Sequence, residues 1–395
     1  MRRSRRCWAN EGQRQVRKAI VLACAVWLTI VGPFPGTTAS ATTEPSAVGW
    51  RSVSAGDDFT CALRSDDTVW CWGRNEHGQL GDGTMTDRNR PVQVGSDHDW
   101  AMQSTGYDHA CGIRMDGTLW CWGANSYGQV GDGSVRPKPS PVQVGTDADW
   151  AFVAAGSEHS CAIRTDGSLW CWGRNRDGDL GDGTQHTRRE PVQAGAAHDW
   201  ISVTAGGFHT CGVRSDSTAW CWGFNRHGQL GVGGRFSKIV PVQVGSDTDW
   251  STLRAGYLHT CGRRIDGTLW CWGAGRQGAL GDGAQHQHYT PVQVGDSSEW
   301  RASVTGLFHS CGLRADGSLW CWGDNAHGEL GDGTHRQRLV PEQVRHRMDW
   351  IQASAGYDTT CALRADATLW CWGYNGFGQL GNGSNSDASR PVRVR

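Results

Sequence analysis

A pair of cysteines recurs along this chain at a spacing of fifty residues. In the second copy, CGIRMDGTLWCWG, Cys111 and Cys121 stand ten positions apart, with an Asp-Gly dipeptide between them and a tryptophan on each side of the second cysteine. Close copies begin at Cys61, Cys161, Cys211, Cys261, Cys311 and Cys361. A repeat of forty to fifty residues is typical of propellers and solenoids, in which each unit is one supersecondary structure. The copies therefore predict a single array rather than several unrelated domains.

Each repeat contains four short segments with strand character. In the second unit these are WAMQSTG from Trp100, HACGIR from His109, TLWCWG from Thr118 and PVQVG from Pro141. Short strands with turn signals about every ten residues indicate an all-β array. Four strands per unit and seven units predict a seven-bladed β-propeller with four antiparallel strands in each blade. The last segment, PVRVR from Pro391, is predicted to pair with the first blade, so that the C-terminal strand closes the ring.

The central hairpin of each unit predicts which residues face one another. We expect residues 115–117 to form a three-residue loop, with Gly117 in the left-handed conformation. Cys111 then lies opposite Cys121 at a non-hydrogen-bonded pair, where strands approach most closely and a disulfide can form. The cysteines predicted to pair within their blades are Cys61 and Cys71, Cys111 and Cys121, Cys161 and Cys171, Cys211 and Cys221, Cys261 and Cys271, Cys311 and Cys321, and Cys361 and Cys371.

The alternative to a disulfide is a zinc site. His109 lies two residues before Cys111 and therefore on the same strand face, which gives a His-Cys-Cys set. Zinc ligands, however, usually come in pairs two to four residues apart. The first and last units have Phe59 and Thr359 in place of the histidine and still keep both cysteines. We therefore predict disulfides, with no metal and no cofactor.

The tryptophans predict how neighbouring blades pack. In the expected register, Trp120 and Trp122 share one face of the hairpin and lie opposite Gly112 and Ala110. Across the seven units the first of these partners is only Ala or Gly, and the second is only Thr, Ser or Ala. Large rings opposite small side chains fit cross-strand packing. The indole face of one blade is therefore expected to pack on the cystine face of the next blade.

The segment before the repeats has the organisation of an export signal. A basic N-terminal stretch precedes an apolar run at residues 19–32, and small residues follow at 39–41. This order predicts a signal peptide at residues 1–41. The apolar run is shorter than the roughly twenty residues of a membrane span, and an uncleaved anchor is the alternative. The mature protein is expected to be secreted, periplasmic or associated with the cell wall, with no membrane segment.

The mature chain is predicted to consist of a short linker, residues 42–49, and the propeller, residues 50–395. Cleavage removes seven basic residues and Glu11, which leaves 31 basic and 38 acidic residues and changes the net charge from −1 to about −7. An even number of cysteines in an exported chain also favours disulfides. The acidic balance argues against bulk nucleic-acid binding. We expect a monomer that does not bind nucleic acid.

The repeat resembles that of the regulator of chromosome condensation family. The pattern GxxHxCxxRxDGxLWCWGxNxxGQLGDG, followed by PVQV, extends over residues 50–395 and is clearest from Leu169 and from Leu319. The resemblance implies a seven-bladed propeller. It implies function poorly, because the family includes a nuclear exchange factor for a small GTPase that docks on chromatin, parts of ubiquitin ligases and a secreted bacterial inhibitor of β-lactamase. The signal peptide and paired cysteines favour an exported, bacterial-type member, and no exchange-factor or chromatin-contact residue can be carried over.

Residues that differ between the repeats are the candidates for a binding site, because residues that the fold requires should recur in every unit. The variable positions are the pair just before each histidine position and the stretch between GDG and the strand-opening proline, and alternating strand direction places both on one face of the disc. Aromatic and arginine side chains dominate interface hot spots. The predicted partner-binding residues are Tyr107, Phe208, Tyr257, Phe308, Tyr357, Arg88, Arg136, Arg188, Arg235 and Arg336, with solvated or packed loops as the alternative.

The sequence contains no GxSxG or HExxH motif. We therefore predict a non-enzymatic propeller that binds a protein partner through its variable loops, with inhibition of that partner as one form of the interaction. The basic loops also suit an anionic partner, so a module that binds carbohydrate or cell-wall polymer is the first alternative. An extracytoplasmic enzyme with its site at the channel mouth is the second.

Overall fold

The structure is a computed structural model that describes residues 48–395, so the predicted signal peptide and most of the linker lie outside the described residues. The described chain forms seven antiparallel sheets of four strands each. One short 3-10 turn, Arg276–Gly278, is the only helical element in this part of the chain. Within residues 48–395, no helix has the length and apolarity needed to cross a membrane. The seven sheets are the blades of a propeller, as the repeat predicts.

Each blade is one sequence repeat, and its four strands neighbour one another in chain order. Blades one to three contain β1 Trp50–Ala55, β2 Phe59–Arg64, β3 Val69–Gly73, β4 Arg88–Gln93, β5 Trp100–Thr105, β6 His109–Arg114, β7 Leu119–Gly123, β8 Lys138–Gln143, β9 Trp150–Ala155, β10 His159–Arg164, β11 Leu169–Gly173 and β12 Arg188–Gln193. Blades four and five contain β13 Trp200–Ala205, β14 His209–Arg214, β15 Ala219–Gly223, β16 Lys238–Gln243, β17 Trp250–Ala255, β18 His259–Arg264, β19 Leu269–Gly273 and β20 His288–Gln293. Blades six and seven contain β21 Trp300–Thr305, β22 His309–Arg314, β23 Leu319–Gly323, β24 Arg338–Gln343, β25 Trp350–Ala355, β26 Thr359–Arg364, β27 Leu369–Gly373 and β28 Ala388–Arg393.

The central hairpin has the predicted register and the predicted disulfide. In blade two, Cys111 pairs with Cys121, their Cα atoms are 4.0 Å apart, and a disulfide joins them. The amide of Gly117 donates a hydrogen bond to the carbonyl of Arg114, and the φ of Gly117 is 85°, as a three-residue loop with a left-handed glycine requires. The equivalent disulfide forms in every blade, so all seven predicted pairs are confirmed.

Neighbouring blades pack the indole face of one on the cystine face of the other. Trp122 of blade two is fully buried and lies in one cluster with Cys61 and Cys71 of blade one. Its Nε1 donates a hydrogen bond of 2.9 Å to the main-chain carbonyl of Gln79, which also belongs to blade one. Corresponding clusters fill the other six junctions. This packing confirms the arrangement that the tryptophan spacing predicts.

The ring closes in a different way from the sequence prediction. Strand β28 pairs with β27 inside blade seven, and blade one has its own fourth strand, β4. The prediction that the C-terminal strand completes the first blade was therefore wrong, because every repeat supplies all four strands of its own blade. Blade seven instead meets blade one through the same face-to-face packing as the other junctions. Trp72 packs on the cystine of Cys361 and Cys371 and donates a hydrogen bond of 2.8 Å to the carbonyl of Gln379.

Five buried histidines join neighbouring blades. Nε2 of His109 lies 2.8 Å from Oγ of Ser160 in the next blade. The same bridge is made by His159, His209, His259 and His309. Burial lowers the pKa of His109 to about 3, so its ring is a neutral hydrogen-bonding group. Between blades one and two both partners change, because Phe59 replaces the histidine and Ala110 replaces the hydroxyl, and the two lie in one apolar cluster.

Candidate protein-interaction face

One side of the disc carries both kinds of variable loop. Successive strands of a blade run antiparallel, so the loop between the first and second strands and the loop between the third and fourth strands lie on the same side. We call this side the loop face. Its two kinds of loop also touch, because Nε2 of Gln79 in blade one donates a hydrogen bond of 3.1 Å to Oδ1 of Asp108 in blade two. The variable positions therefore share one surface, as the sequence predicts.

The central channel opens on the loop face as a cavity of about 140 Å³. Its wall repeats Ala or Thr followed by Gly from every blade, and then one residue that differs between blades: Asp57, Tyr107, Ser157, Gly207, Tyr257, Leu307 and Tyr357. The three tyrosines meet across the opening. The ring centroid of Tyr357 is 6.0 Å from that of Tyr107 and 5.9 Å from that of Tyr257. We call Tyr107, Tyr257 and Tyr357 the tyrosine cluster.

The five predicted aromatic residues fall into two groups. Three form the tyrosine cluster, whereas Phe208 and Phe308 occupy the second position of their variable pairs. The ring of Phe208 lies 5.3 Å from that of Tyr257, and the guanidinium of Arg174 lies 4.6 Å from the centroid of the Phe208 ring. All five aromatic residues are half-buried. The rings are partly packed rather than fully exposed, because the loops lie close enough around the opening for rings to pack on neighbouring side chains.

Acidic side chains adjoin the tyrosine cluster. Burial, with repulsion from Asp58 and Asp108, raises the pKa of Asp57 to about 8, although a hydrogen bond from Tyr107 acts against this shift. Burial raises the pKa of Asp58 and of Asp358 to about 6. Asp57 is only 7% exposed and lies in the wall of the cavity. The opening therefore combines aromatic rings with carboxyl groups whose ionisation is held back by burial.

These acidic residues occupy variable positions of the sequence but are not among the predicted site residues. A signal was present in the variable pairs Asp57-Asp58, Tyr107-Asp108 and Tyr357-Asp358, in which a carboxyl group accompanies or replaces a tyrosine. The three pairs belong to blades one, two and seven. Blades one and two are consecutive, but blade seven becomes the neighbour of blade one only when the ring closes, so its proximity is not visible along the chain.

Two of the predicted arginines form ion pairs within their own loops. Nη2 of Arg88 lies 2.9 Å from Oδ2 of Asp82, and Nη2 of Arg188 lies 2.9 Å from Oδ2 of Asp182. Both aspartates belong to GDG turns, and each also accepts a hydrogen bond from the amide two residues later. The GDG aspartates are therefore turn-forming residues. They also neutralise part of the positive charge that the sequence assigns to the loop face.

The other three predicted arginines have exposed side chains, and one of them contacts a neighbouring blade. Nε of Arg235 donates a hydrogen bond of 2.6 Å to the hydroxyl of Tyr289 in blade five. Arg136 and Arg336 lie at equivalent positions of blades two and six, and the carbonyl of each accepts a hydrogen bond from the side-chain amide of an asparagine in the same blade. The exposed arginines of the loop face thus lie in the outer loops, whereas the carboxyl groups of Asp57, Asp58 and Asp358 lie near the channel.

The fold and the loop face define a class of protein, a repeat propeller whose blades are alike inside and differ on one side. The model of the Regulator of chromosome condensation (RCC1) repeat matches residues 66–113, 116–163, 166–213, 216–262, 266–313, 316–363 and 366–395. A second model of the same repeat matches residues 50–79, 150–179, 200–229, 251–279 and 350–379. The chain belongs to the RCC1 repeat family. A comparison with curated proteins finds no match.

Several solved structures have a similar fold. Prp20p from Saccharomyces cerevisiae is 19% identical over 84% of this chain and 87% of that chain, with a TM-score of 0.75. Yeast RCC1 (Prp20), solved with Kap60 bound to it, is 18% identical over 94% of this chain and 91% of that chain, with a TM-score of 0.76. Human WBSCR16 is 23% identical over 78% and 84% of the two chains, with a TM-score of 0.70. At these identities the similarity establishes the fold alone.

Proposed function

We propose that the protein is an exported interaction module without catalytic activity, and that it binds a protein partner through its loop face. The observation that carries this proposal is the tyrosine cluster, which brings three blades together around the cavity at the centre of that face. Tyrosine offers a large, rigid contact area and is enriched in interface hot spots. The seven disulfides fit an oxidising compartment, which supports export.

The residues at the channel mouth are not required by the propeller. Equivalent positions hold Ser157 in blade three and Gly207 in blade four, so the ring tolerates small residues there. Asp57 moreover reduces stability at neutral pH, because a buried carboxyl group with a raised pKa favours the unfolded state once that state ionises. Asp57 thus lowers the stability of the folded state at a position where other blades have serine or glycine. Its presence there supports selection for binding.

Similar propellers support a protein as the class of partner. Yeast Prp20 was solved with Kap60 bound, and a second structure of the same protein is described together with its binding to Gsp1p and histones. The ion pairs of Arg88 and Arg188 reduce the support for the alternative of an anionic wall polymer, because those guanidinium groups already have carboxylate partners. The raised pKa of Asp57 favours an enzyme as the second candidate, since carboxyl groups with perturbed pKa values in clefts often serve as general acids or bases.

Matched substitutions on the two faces test the proposal. The loop-face variant is Tyr107→Ser with Tyr357→Ser, because serine occupies the same position in blade three. The control variant is Met115→Ser with Ile265→Ser, because these side chains are 59% and 61% exposed on the opposite face. Each purified protein is immobilised and incubated with the extracellular fraction of its own cells, and the retained proteins are identified by mass spectrometry.

The proposal predicts that the wild type and the control variant retain the same protein, and that the loop-face variant retains at least about tenfold less, as expected when hot-spot residues are removed. Equal retention by all three, or loss only in the control variant, contradicts the proposal. Retention of polymer alone, with release by a heparin-like competitor, establishes the wall-polymer alternative instead. Turnover of a glycan or ester substrate that is abolished by Asp57→Asn establishes the enzyme.

A further inference from the structure

The outer loop of blade four lacks the ion pair that organises its counterparts. In five blades the aspartate of the loop pairs with a basic residue six positions later: Asp82 with Arg88, Asp132 with Lys138, Asp182 with Arg188, Asp282 with His288, and Asp332 with Arg338. Blade four keeps the cation, Lys238, but has Val232 at the aspartate position, so this pair cannot form. Blade seven has lost both partners, with Asn382 and Ala388. Blade four is therefore the one repeat that keeps a basic residue at this position without the acidic residue.

The same loop exposes three apolar side chains. Phe236 is 83% exposed, Val240 is 45% exposed and Ile239 is 39% exposed. No other repeat has apolar residues at all three of these positions, and Thr86 of blade one stands at the position of Phe236. An exposed phenylalanine with aliphatic neighbours is unfavourable in water and is typical of a surface that a partner covers.

Within the blade-four loop itself, the charged side chains all have one sign. The sequence contains no Asp or Glu between Asp216 and Asp247, whereas Arg226, Arg235 and Lys238 lie in this interval. Arg235 precedes Phe236 in the chain and is held in place by blade five, because its guanidinium lies 5.1 Å from the centroid of the Tyr289 ring in addition to the hydrogen bond to the Tyr289 hydroxyl. A planar, oriented guanidinium is well suited to bind a carboxylate with two hydrogen bonds.

The loop is anchored at both ends and open in between. The amide of Gly233 donates a hydrogen bond of 2.9 Å to the carbonyl of Tyr289 in blade five, and the carbonyl of Ile239 accepts one of 3.0 Å from the amide of Gly183 in blade three. No atom lies within 4 Å of where a Cβ would stand on Gly233 or Gly234. The backbone of the loop is thus fixed by its neighbours while space remains over its centre. We call Arg235, Phe236, Lys238, Ile239 and Val240 the blade-four patch.

We propose that the blade-four patch binds an acidic segment of the partner protein in which a carboxylate lies next to an aromatic or aliphatic residue. The apolar residue of that segment covers Phe236 and its aliphatic neighbours, and the carboxylate binds Arg235 and Lys238. Charge complementarity selects this partner over a basic or purely apolar one. The inference rests on the proposed function, since it names the chemistry of one region of the loop face.

A displayed library of random linear peptides tests this assignment with the full mature protein as the target. Two variants change the patch: Phe236→Thr introduces the residue of blade one, and Val232→Asp supplies the missing partner of Lys238, as Asp132 does for Lys138 at 2.6 Å. Both substitutions place residues that other blades already have at these positions, and thermal unfolding checks that each variant is folded. Val340→Thr is the control, because Val340 is a 53% exposed residue of blade six outside the patch.

The wild type is expected to select peptides with Asp or Glu close to Phe, Trp, Leu or Ile. A synthetic peptide from that selection should bind Phe236→Thr and Val232→Asp at least about tenfold more weakly than the wild type, bind Val340→Thr equally well, and lose affinity as salt is raised. The assignment is overturned if no peptide is selected, if the selected peptides lack acidic residues, or if both patch variants bind them as well as the wild type. Partner capture that depends on the tyrosine cluster but persists in both patch variants overturns this inference alone and leaves the proposed function intact.

Discussion

The junctions between blades and the loop face follow opposite rules within the same repeat. At every junction a fully buried indole packs on the cystine of the neighbouring blade and donates a hydrogen bond to a main-chain carbonyl of that blade. On the loop face, equivalent positions hold residues as different as Asp57, Tyr107 and Ser157. The comparison shows that the residues repeated in every blade are those that the ring needs to fold. The residues that vary lie on surface that does not stabilise the ring, so they are available for selection by a binding partner.

Truncation of a junction indole should have the largest effect on stability. Trp122→Ala is expected to reduce the free energy of unfolding by about 3–5 kcal/mol, because it leaves a cavity against the cystine of blade one and removes the hydrogen bond to Gln79. Tyr127→Ala, in the 40% exposed loop position of the same blade, should change it by less than about 1 kcal/mol. Chemical denaturation of both variants measures the difference. If both variants lost a similar free energy of unfolding, the junction residues would not be more important for stability than the loop residues.

Removal of one cystine should have the next largest effect. The double substitution Cys111→Ala with Cys121→Ala is expected to cost about 2–3 kcal/mol, since the bond constrains the unfolded chain and the sulfurs fill the junction with blade three. The midpoint of urea denaturation, measured without reductant, reports the loss. An unchanged midpoint would mean that the hairpin and its indoles hold the blade without the disulfide.

A buried acid at a junction predicts a dependence on pH. Burial, with repulsion from Asp324 and Asp358, raises the pKa of Glu329 to about 7 from an ordinary value of 4.5, whereas four other blades have glutamine at this position. Because the folded state holds this proton more tightly, the contribution of Glu329 to stability is complete below pH 4.5 and is lost as the pH rises to 7. Glu329→Gln should therefore match the wild type near pH 4 and exceed its stability by about 3 kcal/mol at pH 8. A constant difference across this range would show that Glu329 does not titrate in it.

The smallest expected effect on stability comes from the loop of the central hairpin. In three blades the left-handed position of this loop holds a residue other than glycine. Ala367 has a φ of 60°, and Ala367→Gly is expected to stabilise the protein by about 1 kcal/mol, because a left-handed conformation strains a residue with a side chain. The reverse change in blade six, Gly317→Ala, should destabilise it by more, since the added Cβ would lie 2.6 Å from the carbonyl oxygen of Met348. Thermal unfolding of the two variants gives opposite shifts if the loops are equivalent. Shifts of the same sign would show that the loops of blades six and seven differ.

Local spacing was enough to predict the blade. Two cysteines ten apart, a left-handed glycine between them and tryptophans opposite small residues define the hairpin register, because each of these constraints acts across one turn. The closure of the ring could not be predicted from local spacing. It depends on whether the first strand of the sequence repeat is also the first strand of a blade, and no local pattern specifies this. The sequence is compatible with pairing of β28 to either the first or the last blade, and the structure selects the last.

The sequence predicted on which face the candidate site lies, but not which side chains contact one another there. Alternating strand direction was sufficient to place the variable loops on one face. It could not show that Tyr107 and Tyr357 meet, because they are separated by 250 residues and become neighbours only across the channel. Nor did spacing reveal that a loop arginine such as Arg88 turns back to an aspartate six residues earlier. Contacts of both kinds depend on the three-dimensional curvature of loops and ring.

Site-specific photo-crosslinking tests most directly whether the loop face is the surface that binds the partner. A benzophenone amino acid is placed in separate variants at Tyr107 and Tyr357 on the loop face, and at Met115 and Ile265 on the opposite face, and each protein is irradiated with the extracellular fraction of its own cells. The account predicts one protein adduct shared by the two loop-face positions, competed away by unlabelled wild type, and no such adduct from the opposite face. An adduct formed from Met115 or Ile265 and absent from Tyr107 and Tyr357 would contradict it.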